Sequence, residues 1–117
     1  MIQATFHIKR AYDPPDPADG VRVLVDRLWP RGLRKADSAI DLWLRDVAPT
    51  AALRRWFGHR PDRWAEFRKR YAAELAENPA VGTLRSLEAH DVTLLYAARD
   101  EVHNHARVLL EHLEAGG

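Results

Sequence analysis

The chain has 117 residues and a mass of 13.4 kDa, enough for one hydrophobic core, so we expect a single domain over residues 1–117. Apolar residues make up 46% and charged residues 30%, which excludes a disordered or collagen-like chain. The sequence has no cysteine, which excludes a disulfide framework, a thiol nucleophile and a cysteine-ligated metal site. It has neither an apolar run of membrane-spanning length nor an apolar signal region near Met1, so we expect a cytoplasmic protein with no membrane partner.

The net charge of +1 conceals an asymmetry between the two parts of the chain. Residues 1–70 carry fifteen basic and nine acidic side chains, whereas residues 71–117 carry three basic and eight acidic ones. The densest basic stretch, residues 54–70, has seven basic side chains. Two interpretations stay open for it: a surface that binds the phosphates of a nucleic acid, or a solvated helix surface.

Two strands are predicted in the first quarter of the chain. Residues 4–10 alternate weakly between polar and apolar, and residues 21–25 form a nearly continuous apolar run rich in valine. Such a run is typical of an interior strand of a parallel sheet, covered on both faces. The segment between them holds three prolines and ends at Gly20, which predicts a rigid loop.

Helical patterns dominate from about Ser38. The apolar residues of 40–47 predict a short helical element that ends before Pro49, and Thr50 is placed to cap a helix that ends at Gly58. Pro61 begins the next helix, whose apolar stripe has spacings of three, four and four: Trp64, Phe67, Tyr71 and Leu75. A further short helix is expected to carry Leu84 and Leu87.

The last third of the chain predicts a strand followed by a helix. Residues 92–98 have the composition of a buried strand, and Asp100 is placed to cap a helix whose apolar face includes Val102, Ala106 and Leu109. Helical material before this strand supplies the crossover of a βαβ unit. We therefore predict an α/β fold: a small, mainly parallel sheet flanked by helices on both faces in a three-layer, Rossmann-like arrangement.

Polar residues follow both predicted interior strands. If these strands are parallel neighbours, Asp26, Arg27 and Arg31 at one strand end meet Arg99 and Asn104 at the other. This set, together with the amino end of the following helix, predicts a cleft for an anion. We expect Asp26 and Asn104 to be the catalytic residues, and six residues to bind the substrate: Arg27, Trp29, Arg31, Tyr96, Arg99 and His103.

Structural roles compete with several of these assignments. The carboxylate of Asp26 could pair with a nearby arginine, Trp29 could cover the core, and Asp100 could serve only as a helix cap. His59 follows a helix end, where it acts either as a general base near the cleft or as a partner of the helix dipole.

We expect no metal and no cofactor. His103 and His105 have a spacing that resembles a metal site, but residues two apart on a helix point in nearly opposite directions. The chain also has no Walker loop, no G-x-G-x-x-G and no Ser-His-Asp arrangement.

Four segments resemble the YeaO-like family, domain of unknown function 488: RVLVDRLWPRG (22–32), LRRWFGH (53–59), TLLYAARD (93–100) and HNHA (103–106). The resemblance runs from about residue 5 to the end of the chain. It implies a compact α/β fold in bacterial cytosolic proteins and brings no established activity. It also implies that the segment starting at Asp26 is the most constrained and that amides are accepted at the positions of Asp100 and His103.

Our leading hypothesis is a binder of an anionic small molecule, a nucleotide or a phosphorylated metabolite, which is either a simple binder or an enzyme. In it, Arg27 and Arg31 clamp the anion, Asp26 accepts a proton, and Asn104 orients the ligand. The first alternative is a nucleic-acid module that uses the arginines of 54–70, with Trp56 or Trp64 for base stacking. The second is an interaction domain without chemistry.

Overall fold

The computed structural model describes residues 5–87 and 91–116. Its sheet has four parallel strands in the order β1–β4–β2–β3. The strands are β1 (Thr5–Arg10), β2 (Val21–Leu24), β3 (Leu42–Trp43) and β4 (Asp91–Tyr96). The parallel sheet confirms the predicted fold class, and β2 occupies the interior position that its valine-rich run predicts.

Strand β4 is the centre of the sheet. It pairs with β1 on one side and with β2 on the other, and all its residues after Asp91 are buried. Because β2 and β4 are adjacent and parallel, their carboxyl ends lie at the same edge of the sheet.

Five α-helices surround the sheet in the described residues: α1 (Lys35–Ser38), α2 (Ala51–Phe57), α3 (Trp64–Ala76), α4 (Ala80–Arg85) and α5 (His105–Glu114). The described residues also include three short 3₁₀ helices: Pro17–Asp19, Arg45–Val47 and Pro61–Arg63. Thr50 caps α2 by accepting a hydrogen bond from the Leu53 N–H, and Gly58 ends it in the left-handed conformation, as predicted. None of the helices in the described residues is long and apolar enough to cross a bilayer.

Two local predictions in the middle of the chain are wrong. Residues 40–47 do not form one helical element: Leu42 and Trp43 pair with β2 as the edge strand β3, and only Arg45–Val47 is helical. The apolar run cannot distinguish a strand of two residues from a helix, and pairing with β2 decides between them. Leu87 lies beyond the end of α4, which closes at Arg85.

The start of α5 is also later than predicted. Asn104 caps this helix by accepting a hydrogen bond from the Arg107 N–H over 3.0 Å, whereas Asp100 lies four residues earlier in a separate turn. Val102 and His103 therefore precede the helix, and Val102 is 60% exposed instead of lying on the apolar face. The predicted angle between His103 and His105 on one helix does not apply.

The main core lies between one face of the sheet and helices α2 to α5. Val23, Leu94 and Tyr96 face it from the strands, and Phe67 and Tyr71 face it from α3. Phe67, Tyr71 and Leu75 are almost fully buried, which confirms the predicted helical stripe, while Trp64 at its start is half-buried.

The other face of the sheet is covered by the segment between β2 and β3. Leu24 and Leu95 are fully buried there against four partly buried side chains: Trp29, Leu33, Ile40 and Trp43. Arg22 on this face is also buried, since its guanidinium pairs with Asp19 and donates to the carbonyl of Ser38 at the end of α1. Both faces of the sheet are thus covered, as the three-layer prediction requires.

Candidate functional site

A cavity of about 760 Å³ opens at the carboxyl ends of β2 and β4. Its walls come from residues 26–31 after β2, from the region of α2, from Phe67 of α3, and from the segment between β4 and α5. Asp26, Arg27, Arg31, Arg99 and Asn104 all line this cavity.

Asp26 joins the two strand ends at the base of the cavity. Its Oδ2 accepts a hydrogen bond from the Ala97 N–H over 3.0 Å. Its Oδ1 is buried 3.1 Å from Nε2 of His105, and the same nitrogen lies 3.1 Å from the carbonyl oxygen of Val25. Oδ2 of Asp26 is therefore hydrogen-bonded within the protein, whereas Oδ1 is buried without a hydrogen-bond partner in the described residues.

The loop after β2 has a fixed conformation. Trp29 donates from Nε1 to the carbonyl of Leu33 over 2.8 Å, and its ring meets the edge of Trp43 at 5.5 Å. Tyr12 donates to the carbonyl of Arg31 over 2.7 Å. These bonds hold the backbone of the loop, and Arg31 lines the cavity.

Arg27 points from this loop towards the start of α2. Its Nη2 donates to the carbonyls of Ala48 and Pro49 at 3.4 and 3.2 Å, and its Nε is buried without a hydrogen-bond partner. The Arg27 side chain is thus only weakly satisfied by the protein, because two long contacts to neutral oxygens are its hydrogen bonds in the described residues.

Helix α2 brings two further arginines to the cavity, Arg54 and Arg55. The helix is fixed to α3 through Thr50, whose N–H and hydroxyl both donate to the carboxylate of Glu74, at 3.0 and 2.8 Å. Phe57 from the same helix stacks on Phe67 of α3 at 4.3 Å, and both rings line the cavity.

The segment between β4 and α5 is fixed by side chains that bond its backbone. Arg10 donates to the carbonyls of Ala97 and Ala98 at 3.2 and 3.0 Å. The amide of Asn104 both donates and accepts a hydrogen bond: Nδ2 donates to the Asp100 carbonyl, and Oδ1 accepts the Arg107 N–H and so caps α5. In this structure the Asn104 side chain therefore positions the loop and the helix.

Asp100 holds His103 at the cavity wall. Oδ1 of Asp100 accepts the N–H groups of Val102 and His103 at 2.9 and 2.8 Å, and Oδ2 lies 2.9 Å from Nδ1 of His103. These backbone hydrogen bonds, first of all that from His103, lower the pKa of Asp100 to about 2. The carboxylate is therefore ionised at neutral pH.

The charge of the cavity lining is strongly unbalanced. Five of the lining residues are arginines: Arg27, Arg31, Arg54, Arg55 and Arg99. Within residues 5–87 and 91–116, none of these guanidiniums has a carboxylate oxygen within 4 Å. The two carboxylates of the lining, Asp26 and Asp100, are both engaged with histidines. The lining thus carries five guanidiniums against two carboxylates, an excess of positive charge within the described residues.

The remaining arginines of the basic stretch are arranged differently. Arg60, Arg68 and Arg70 form ion pairs with Asp62, Glu111 and Glu66, in that order. The ring of Trp56 lies under two guanidiniums, those of Arg63 and Arg70, at 5.1 and 4.2 Å. Trp64 packs against Phe57 and Phe67, so both tryptophans already have partners within the protein.

Comparison with known proteins identifies the family of this chain. Residues 5–116 match the family described as "Inactive DUF488-N3 subclade". The chain belongs to the YeaO-like DUF488 family. It is 45% identical to an uncharacterized protein of Mycobacterium tuberculosis over 115 residues, which cover 97% of this chain and 98% of the relative. It is 42% identical to the uncharacterized protein YeaO of Escherichia coli over 109 residues, covering 92% and 95%. No solved structure matches it.

Most of the predicted site residues of this DUF488 chain lie on the cavity wall. Trp29 and His103 line it together with the five residues named at the start of this section. Tyr96 does not: it is buried within the core, and burial raises the pKa of its hydroxyl. It faces the helices because it alternates with Leu95 along β4.

Sequence reasoning missed Arg54 and Arg55 as members of the DUF488 cavity, and it left the role of His59 open. All three line the cavity, and His59 adopts a left-handed backbone conformation (φ 56°) directly after Gly58. Their segment, residues 53–59, is one of the four that carry the family resemblance, and that pattern was the signal available in the sequence.

Two histidines of the DUF488 cavity contact different carboxylates. His103 pairs with Asp100 and His105 pairs with Asp26, so the two rings have separate carboxylate partners. In the part of the chain that the structure describes, no three histidine or acidic side chains cluster in a way that could hold a metal ion.

Proposed function

We propose that the chain binds an anionic small molecule, a nucleotide or a phosphorylated metabolite, in the cavity at the ends of β2 and β4. The observation that carries this proposal is the set of five arginines on the cavity wall, none of which pairs with a carboxylate in the described residues. Guanidiniums bind phosphate and carboxylate oxygens through paired, charge-assisted hydrogen bonds.

Several arginines outside the cavity provide a contrast. Arg22, Arg60, Arg68 and Arg70 form ion pairs with acidic side chains. The arginines of the cavity have no such partner in the described residues and are available to an external one. Such a partner has to bring negative charge of its own.

The size and the lining of the cavity suit a ligand larger than a simple ion. Its volume of about 760 Å³ falls within the range of small-molecule sites, roughly 300 to 1,000 Å³. Apolar side chains lie among the arginines, with Phe57 and Phe67 on one wall and Leu28 and Trp29 on another. An organic group attached to the anion would pack against these side chains.

We propose that the cavity binds its ligand without a chemical step. Oδ2 of Asp26 accepts the Ala97 N–H and its Oδ1 is buried beside His105, while the Asn104 amide caps α5 and bonds the Asp100 carbonyl, so both side chains have structural roles. The description of the family as inactive supports the same choice. An enzyme in which Asp26 accepts a proton is the hypothesis that competes with it.

A thermal-shift screen tests the proposal directly. Pyrophosphate, nucleoside mono- and diphosphates and sugar phosphates are compared with sodium chloride at equal ionic strength. At a ligand concentration of a hundred times Kd, the stabilisation is about 2.7 kcal/mol, which raises Tm by several degrees. Arg54→Ala and Arg55→Ala should each weaken binding by roughly tenfold, because each removes a charged hydrogen-bond donor.

Arg34→Ala is the matched control. Arg34 is 84% exposed, lies outside the cavity and is 3.9 Å from Asp37, and its replacement lowers the net charge by the same amount. If Arg34→Ala weakens binding as much as Arg54→Ala does, the cavity is not the site. If no anion shifts the Tm of the folded wild type, the proposal is wrong and the non-catalytic interaction domain is favoured.

Short single-stranded oligonucleotides belong in the same screen. A nucleic-acid module would bind them with an affinity that falls steeply with salt and that depends on Arg60, Arg68 or Arg70. The ion pairs of these three arginines speak against that outcome. Oligonucleotide binding that is lost in Arg68→Ala and unchanged in Arg54→Ala would replace the proposal by the nucleic-acid hypothesis.

A further inference from the structure

The imidazole of His103 is held on the cavity wall by two neighbours. Its Nδ1 lies 2.9 Å from Oδ2 of Asp100, and its ring meets Trp64 of α3 edge-on, with 5.3 Å between the ring centres and 84° between the planes. The ring is about one-third exposed and lines the cavity together with Asp100. Its orientation is thus set before any ligand arrives.

The Asp100 carboxylate determines which ring nitrogen carries the proton. A carboxylate only accepts hydrogen bonds, and Asp100 remains ionised down to very acidic pH because its pKa is about 2. The contact with Nδ1 therefore requires a proton on Nδ1. In the neutral ring, Nε2 then carries no proton and can only accept a hydrogen bond.

The two carboxylates of the cavity lining are less available as acceptors than Nε2 of His103. Asp26 gives one oxygen to the Ala97 N–H and buries the other beside His105, and Asp100 is occupied by three N–H groups. Nε2 of His103, by contrast, has no hydrogen-bond partner among residues 5–87 and 91–116. The arginines on the same wall are donors only.

We propose that Nε2 of His103 accepts a hydrogen bond from a hydroxyl group of the ligand, with Asp100 as the positioning residue that fixes its tautomer. This inference rests on the proposed function and restricts the chemical class of the ligand. The arginines bind the phosphate oxygens, and a fully ionised phosphate has no proton for Nε2. The ligand is therefore a phosphorylated compound that also carries a hydroxyl donor, such as a sugar phosphate or the ribose phosphate of a nucleotide.

Asp100→Asn is the decisive variant because it reverses the tautomer without removing the turn. The Asn Oδ1 still accepts the N–H groups of Val102 and His103, which places the amide NH₂ opposite Nδ1 of His103. The proton of the neutral ring then moves to Nε2, which becomes a donor. Glu101→Gln is the control, since it removes a neighbouring exposed carboxylate that does not contact the ring.

The tautomer is read by ¹⁵N NMR of the imidazoles in the whole chain, at a pH where the titration of His103 itself shows a neutral ring. His103→Phe assigns its signals among the six histidines. We expect the proton on Nδ1 in the wild type and in Glu101→Gln, and on Nε2 in Asp100→Asn. A proton on Nε2 in the wild type, or the same tautomer in Asp100→Asn, overturns the positioning role.

Affinity for two phosphate esters tests the ligand class. Methyl phosphate has no hydroxyl donor on its organic group, whereas ribose 5-phosphate has several. Asp100→Asn and His103→Phe should cut the preference for ribose 5-phosphate over methyl phosphate by roughly threefold to tenfold, the worth of one hydrogen bond. The ratio of the two Kd values cancels the effect of the lost charge, which acts on both esters alike.

The outcomes separate this inference from the proposed function. If both esters bind and the ratio is the same in wild type and variants, the hydroxyl contact is wrong and anion binding stands. If neither ester binds to the wild type, anion binding and the hydroxyl-bearing ligand both fail, while the tautomer result still decides the role of Asp100.

Discussion

The carboxylate of Asp26 bridges the carboxyl ends of two neighbouring strands by accepting the N–H of Ala97 over 3.0 Å, across 71 residues of chain. Its second oxygen is buried beside His105 at the start of α5. One side chain thus ties β2, the loop after β4 and the last helix together at the base of the cavity.

Asp26→Ala should therefore destabilise the fold. It leaves the partly buried N–H of Ala97 without its partner, a loss of about 1–3 kcal/mol in the free energy of unfolding measured with urea. Asp26→Asn keeps an oxygen for that N–H and should lose less. If Asp26→Ala is as stable as the wild type, the bridge contributes nothing, and the competing catalytic role of Asp26 gains weight.

Asn104→Ala removes the cap of α5. The amide oxygen accepts the Arg107 N–H at 3.0 Å and the side chain is 2% exposed, so we expect a loss of about 1–2 kcal/mol in the free energy of unfolding. Asn104→Ser, which keeps a capping oxygen, should recover part of it. A loss confined to ligand affinity, with unchanged stability, would contradict the structural role.

Gly20→Ala should be among the most damaging single substitutions. Gly20 has φ 65°, and a Cβ there would lie 2.1 Å from the backbone oxygen of Asp91 at the start of β4. Since backbone must move to relieve this clash, we expect a loss of more than about 3 kcal/mol, measured by chemical denaturation.

Gly82→Ala is the matched control for Gly20→Ala. Gly82 lies inside α4, and a Cβ there meets nothing within 4 Å. The same substitution should therefore stabilise the chain by about 0.5–1 kcal/mol. Equal effects at the two positions would contradict the described packing of Gly20 against β4.

Asp100 should contribute to stability in a defined range of pH. Its pKa falls from 3.8 to about 2 on folding, because backbone N–H groups bind its ionised form. A group with a lowered pKa stabilises the fold above its unfolded value, and that contribution is lost as pH falls through the folded value. The stability gap between wild type and Asp100→Asn should thus narrow between about pH 4 and pH 2. Thermal unfolding of the two proteins across this range measures the gap, and a constant gap would contradict the lowered pKa of Asp100.

The sequence predicted the interior strands and the best-capped helix correctly for local reasons. The apolar runs of β2 and β4 indicate strands that are buried on both faces. Thr50 marks the start of α2 and Gly58 marks its end. Strand β3 was missed because two residues within an apolar run contain no period, and only pairing with β2 makes them a strand.

For the candidate site, too, the sequence placed residues correctly only where local pattern or sheet topology determines their position. The residues that directly follow β2 could be placed from topology, because adjacent parallel strands end at one edge. Asp100 and Asn104 are both good capping residues, and local sequence does not show which of them begins α5. Arg54 and Arg55 look like any charges on a short helix until the contact of Thr50 with Glu74 fixes which way that helix faces.

The position of β4 in the sheet has a consequence for synthesis of the chain. Within residues 5–87 and 91–116, β1 pairs only with β4, which separates it from β2, yet β4 begins at residue 91. When synthesis has reached residue 90, β1, β2 and β3 have been made, but β1 lacks its partner β4 and the apolar strand β2 lacks one of its two neighbours. The sheet is therefore completed only when its central strand has been made, and until then the apolar residues of β2 are exposed to chaperones and to other unfolded chains.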